Sequence, residues 1–136
     1  MNMPLVYLAG PYSPKSTEFG RMLAEVNANI ARADELGRKL LALGVAVIVP
    51  HKNTRHWDAD PNLTYERFLA MDEVLIKRCD GIVLLPGWED SKGALREKAL
   101  ATKLGLPIFT AADYCSVDRL AEAIKGFFYR CHTECT

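Results

Sequence analysis

The chain has 136 residues, a length for one domain with a core of its own. Lys plus Arg and Asp plus Glu number 17 each, so no cationic excess marks a general binder of nucleic acid or anionic membrane. With 49% apolar and 25% charged residues and no apolar run near the ~20 residues of a membrane span, the composition is that of a soluble globular protein.

The start, MNMPLVYLAG, lacks the basic region and long apolar core of a signal peptide and reads instead as a first strand, Leu5 to Ala9. A cytoplasmic protein is therefore expected, with Cys79, Cys115, Cys131 and Cys135 as reduced thiols. The strand ends at Gly10-Pro11, and a loop with Tyr12-Ser13-Pro14 follows. From Thr17 to Leu43, apolar residues recur every three or four positions, which predicts a long helix capped by Ser16 or Thr17 and stopped by Gly44. Val45 to Val49 is a second strand. The polar stretch from His51 to Asp58, with Asn53, His56 and Trp57, reads as a loop. Thr64 caps a helix from Tyr65 to Arg78 that carries Asp72, and Gly81 to Leu85 is a third strand.

After that strand the chain breaks at Pro86-Gly87 and passes through Trp88-Glu89-Asp90-Ser91. It turns at Gly93 and becomes helical to Leu104, with Ala94, Leu95, Ala99, Leu100 and Leu104 as its apolar stripe. Leu106 to Thr110 is a fourth strand, which Pro107 places at a sheet edge or strand start. Ser116 or Asp118 caps a last helix from Val117 to Tyr129, and residues 130–136 read as a loose polar tail.

Strict alternation of strands and helices predicts an α/β fold in one domain over residues 1–136. The expectation is a doubly wound parallel sheet of four to five strands, flavodoxin/Rossmann-like, with helices on both faces and strand order 2-1-3-4. Ligands of such sheets bind at the carboxyl ends of the strands where the order reverses. That puts Gly10 and Pro11, His51 and Asn53, and Trp88, Ser91 and Gly93 around one crevice, with Glu97 a turn into the helix beside it. Ser91 and Gly93 sit at a helix start, whose free N–H groups favour an anion. Trp57 and Trp88 are candidates to stack on a base. Glu97, flanked by Arg96 and Lys98, also reads as a solvated helix carboxylate, and Ser91 as a plain cap. No H-E-x-x-H, Walker or G-x-S-x-G pattern is present, and Cys131, His132 and Cys135 on the tail make a poor metal site, so neither metal nor cofactor is expected.

Four segments together, V-Y-L-A-G-P-Y-S, V-P-H-x-N, M-D-E-V-L-I-K-R-C-D-G-I-V and S-K-G-A-L-R-E, resemble the nucleoside 2-deoxyribosyltransferase superfamily. That group includes the 2'-deoxynucleoside 5'-monophosphate N-glycosidases. The resemblance runs from Leu5 to about Phe109. It implies that Glu97 is the nucleophile attacking C1' to form a covalent glycosyl-enzyme. It implies that Asp72 contacts and helps protonate the base, and that Tyr7 hydrogen-bonds the nucleophilic carboxylate. Gly10 would lie beside the nucleotide, and Ser91 and Gly93 would hold the sugar's 5' end. Where the transferases typically carry an acidic residue, this chain has Ser91 beside Lys92, which suits a 5'-phosphate. The expected activity is hydrolysis of the N-glycosidic bond of a (deoxy)nucleoside 5'-monophosphate; the alternatives are base exchange by a nucleoside 2-deoxyribosyltransferase or a nucleotide-binding module without catalysis. The expected partners are a small nucleotide or nucleoside and further copies of the chain, in a homodimer or homotetramer packed through Phe127, Phe128 and Tyr129, with no nucleic acid polymer and no membrane.

Overall fold

The structure, a computed structural model, describes residues 2–54 and 57–134. Its elements run in chain order β1 (Leu5–Ala9), α1 (Phe19–Ala42), β2 (Ala46–Ile48), α2 (Pro50–Asn53), α3 (Tyr65–Lys77), β3 (Gly81–Leu84), α4 (Lys92–Lys103), β4 (Ile108–Thr110) and α5 (Val117–Glu134). The sheet is parallel throughout, in the order β2-β1-β3-β4, as the alternation of elements predicts. Pro107 precedes β4, which is an edge strand.

Strand parity divides the core into two layers. Val6 and Leu8 of β1 and Val83 of β3 face one way and pack with Ala33 and Leu40 of α1 and Leu120, Ala121 and Ile124 of α5. Tyr7 and Ala9 of β1 and Ile82 and Leu84 of β3 face the other way, against Ile76 of α3 and Ala94 and Ala101 of α4. Helices thus cover both faces, and the odd-numbered side chains of β1 belong to the α3/α4 side. Asp80 locks the start of β3 to β1: its Oδ2 accepts from the Leu5 N–H at 2.8 Å, and its own N–H donates to the Leu5 carbonyl at 2.7 Å.

Several boundaries differ from the sequence reading. The N-cap of α1 is Glu18, without a side-chain hydrogen bond, because the Ser16 hydroxyl instead accepts from the Glu18 N–H at 3.2 Å. The stretch after β2 is not wholly a loop: Pro50 starts the short helix α2, and Trp57–Ala59 forms a 3-10 turn. Arg55 and His56 lie outside the described residues. Helix α5 continues to Glu134, so the polar segment after Tyr129 is helical rather than loose up to that residue; Cys135 and Thr136 lie outside the described residues. Phe128 is buried in the protein's own interior, which removes it from the exposed aromatic end expected there; Phe127 and Tyr129 remain partly exposed. Thr64, Ser91 and Ser116 cap α3, α4 and α5, accepting from the backbone N–H three residues on, at 3.2 Å each. Gly37 lies where α1 presses on the sheet, since a Cβ there would stand 3.0 Å from Val49 Cγ2. Among the described residues, no helix is long and apolar enough to cross a membrane.

Gly10, just past β1, meets the third strand's end more tightly still: a Cβ would fall 2.6 Å from Leu85 Cβ. Gly10→Ala is expected to lower the unfolding free energy by about 1–3 kcal/mol through overpacking, read from the urea midpoint. An unchanged midpoint would refute the close approach.

Candidate active site

A cleft of about 950 Å³ opens at the carboxyl ends of β1 and β3, within the range of small-molecule sites. Tyr7 rises from its floor. Because residue 7 has the parity that faces α3 and α4, its ring enters the layer from which those helices supply Asp72 and Glu97. The inward face of α4 is Ala94, Glu97, Lys98 and Ala101, at spacings of three, one and three, with Leu100 half-buried beside it. Leu95 and Ala99, expected inside, are exposed, Leu95 by 44%. The two buried alanines let α4 approach the sheet, and this rotation carries Glu97 into the cleft. Across from it, Asp72 sits one turn before buried Ile76 on α3.

Three acidic or phenolic groups therefore share one poorly hydrated corner. Burial is the largest influence on each. It pushes Glu97 up to about 8; the nearby Tyr7 hydroxyl and the charge of Arg96 oppose the rise, and the charge of Asp72 adds to it. Burial likewise raises Asp72, against Tyr7 and Arg96, which favour its charged form. Burial and then the charges of Glu97 and Asp72 push the Tyr7 phenol far above its usual range, so it stays a proton donor. Its Oη is fully buried and makes no hydrogen bond at ordinary distance to a described atom, although it is near enough to act on both carboxyls. Around neutrality Glu97 is therefore mostly protonated, and the neighbouring Asp72 charge helps to keep it so.

The mouth of the cleft is built from loops. The Ser91 hydroxyl accepts from the Ala94 N–H and keeps its own proton to donate, while Lys92 and Gly93 of the same first turn line the cleft. Asp90, which would repel an anion, is paired with Lys15 at 3.2 Å, a bridge that ties the loop after β1 to the loop after β3. His51 is buried, and its Nε2 lies 3.0 Å from the Pro11 carbonyl. Burial lowers its pKa, so the ring is neutral, Nε2–H donates to that carbonyl, and Nδ1 is an acceptor buried without a partner among the described residues.

Of the residues singled out from sequence, Tyr7, Gly10, Pro11, His51, Asp72, Ser91, Gly93 and Glu97 line this one cleft. Asn53 and Trp88 do not, nor does Trp57. Asn53 is exposed at the end of α2. Trp88 turns away from the mouth and packs on the α3/α4 core, with Lys98 Nζ 4.6 Å from its ring centre. The aromatic walls are instead Tyr12, Tyr65 and Phe68, and Tyr65 carries the Arg96 guanidinium 5.4 Å from its ring centre. Sequence reasoning also missed the contribution of α1, through Glu25, Asn29 and Arg32. The signal was present in Asn29, a polar residue on the buried face of an amphipathic helix; Arg32, one turn on, is exposed at the edge of that face. Among the described residues, no group of three or more His, Cys, Asp or Glu is placed to hold a metal ion.

A family model described as Domain of unknown function (DUF4406) matches residues 4–110. The chain belongs to that family. None of the curated proteins matches the sequence significantly. Among solved structures the chain is similar to the solution structure of BlsM, with 17% identity and a TM-score of 0.62 over 96% of this chain and 94% of that one. It is also similar to the Clostridium botulinum CMP N-glycosidase BcmB, with 18% identity and a TM-score of 0.47 over 88% of this chain and 81% of that one. At such identities the BlsM likeness is one of fold, the same α/β fold seen in the sheet.

A carboxyl whose pKa is raised on folding has a definite linkage sign. Between the ordinary glutamate value of 4.5 and about 8, the folded state binds more of the Glu97 proton than the unfolded chain, so this group's stability contribution falls as pH rises through that window. Glu97→Gln removes the dependence. Its melting temperature relative to wild type is expected to climb between pH 5 and pH ~8.5, measured by thermal unfolding at matched ionic strength. A difference that stays flat with pH would mean that Glu97 titrates normally.

Proposed function

We propose that this protein hydrolyses the N-glycosidic bond of a (deoxy)nucleoside 5'-monophosphate through a covalent glycosyl-enzyme on Glu97, as a member of the nucleoside 2-deoxyribosyltransferase superfamily. The observation that carries the reading is the convergence of Tyr7, Asp72 and Glu97, from β1, α3 and α4, in the buried corner of the cleft. The four sequence segments resembling that superfamily support it independently.

In the proposed reaction the pair holds a single proton. A carboxylate oxygen of Glu97 attacks C1' as the bond from C1' to the base nitrogen breaks and its electron pair leaves with the base. The proton on Asp72 goes to that base. Water then attacks C1', the bond to Glu97 breaks, and the sugar phosphate departs while a carboxylate of the pair takes the water's proton. Burial raises both carboxyls, and the rise of Glu97 to about 8 favours its protonated form, whereas the attack needs Glu97 ionised and the proton on Asp72. The nearby Tyr7 hydroxyl, which stays protonated, and the Arg96 charge both favour the ionised carboxylate. A sugar centre that becomes cationic during the displacement would favour it further.

The test is base release from a panel of ribo- and deoxyribonucleoside 5'-monophosphates, followed by chromatography. Glu97→Gln is expected to lower turnover by about a thousandfold or more while leaving nucleotide binding measurable. Glu89→Gln, on the exposed loop outside the cleft, is expected to stay near wild type. Base release by Glu97→Gln at near the wild-type rate would remove Glu97 from the chemistry. Exchange of the base only when a free base is added would turn the reading from hydrolase to transferase.

A further inference from the structure

The charges around the cleft do not cancel. Asp90 is taken by Lys15, Glu73 by Lys77, and the Glu25 carboxylate by the N–H groups of Lys15 and Ser16, at 2.6 and 3.1 Å. Three cations line the same cleft without a close ion pair among the described residues, Arg32, Lys92 and Arg96, of which Arg96 acts at longer range on Asp72 and Glu97. Lys92 opens α4, and Arg96 is stacked on Tyr65. Arg32 alone comes from α1, outside every segment that the sequence reading tied to a ligand.

Arg32 is held in a particular way. Its Nη2 donates to Oδ1 of Asn29, and Nδ2 of Asn29 donates to the Tyr12 carbonyl at 3.3 Å. Asn29 is one of the few buried polar residues of the chain. Both neighbours dictate its orientation, since a guanidinium can only donate and a carbonyl can only accept. A neutral amide thus aims the arginine without cancelling its charge, which an aspartate at the same position would do. The anchor, Tyr12, belongs to the loop that Lys15 bridges to Asp90, the neighbour of Ser91. Arg32 accordingly borders the loops that also present the Ser91 hydroxyl and the first turn of α4.

We propose that Arg32 is the residue by which this site distinguishes a 5'-phosphate from a 5'-hydroxyl, with Asn29 as its positioning residue. The inference rests on the proposed nucleotide reading, and it adds the element that selects the anionic substrate. Arginine suits the task because its fork can keep one N–H on Asn29 and offer the others to phosphate oxygens.

The experiment measures binding and base release for each nucleoside 5'-monophosphate and the matching nucleoside, using wild type, Arg32→Met and Asn29→Asp. Calorimetry reads binding whether or not base is released, so failure of the catalytic reading is separate from failure of this one. Arg32→Met is expected to weaken monophosphate binding about tenfold to a hundredfold, with kcat little changed and nucleoside binding unaffected. Asn29→Asp keeps the arginine but pairs it, and is expected to weaken the monophosphate in the same direction. Arg38→Met, on the solvent side of α1 and paired with Asp34, is the control expected to change neither. The inference is overturned if Arg32→Met binds the monophosphate as wild type does, if phosphate and non-phosphate ligands weaken equally, or if wild type binds no nucleoside monophosphate.

Discussion

The site depends on one constraint: a strand turns successive side chains to opposite faces. Leu8 goes to the layer beneath α1 and α5, and Tyr7 goes to the layer beneath α3 and α4. Because the two carboxyls come from those same two helices, the phenol meets both at the carboxyl end of β1. The helices can bring their acids so close to the sheet because the neighbouring inward positions on α4 are alanines. The outcome is a buried trio with no cation in direct ion-pair contact among the described residues, in which protonation is the cheapest way to relieve charge.

Around that corner the loops do the opposite. Every acidic side chain at the mouth other than Asp72 and Glu97 is engaged, by Lys15, by Lys77 or by backbone N–H groups. The cleft-lining cations of these helices, Arg32 of α1 and Lys92 and Arg96 of α4, form no ion pair among the described residues. A cleft that keeps protons at one end and unpaired cations around its rim suits a ligand with a leaving group to be protonated and an anionic tail. Gly10 and His51 hold the frame: the glycine lets the loop after β1 press on Leu85, and the neutral imidazole ties α2 to Pro11.

Much of this was legible in the residues. Apolar strands alternating with amphipathic helices determined the sheet order, and Thr64 and Ser91 announced the starts of the two helices that carry the acids. The face of α4 was misread because leucine outweighs alanine in any hydrophobic pattern. The two alanines are the buried pair, and Leu95 points to solvent. Trp88 looked like a cleft residue because its loop borders the cleft, yet a large apolar ring gains more beneath the sheet's end, under Lys98. Arg32 was missed because its aim depends on Asn29 and on a carbonyl 17 residues upstream of Asn29, a contact that only the folded chain creates.

The central claim is that Glu97 and Asp72 form one proton-sharing pair under Tyr7, and a carboxyl-carbon NMR titration addresses it most directly. In wild type Glu97 should titrate at about 8, and in Asp72→Asn, with the neighbouring charge gone, it should titrate lower. A Glu97 carboxyl that titrates in the ordinary glutamate range in wild type, and does not move on removal of Asp72, would contradict the account.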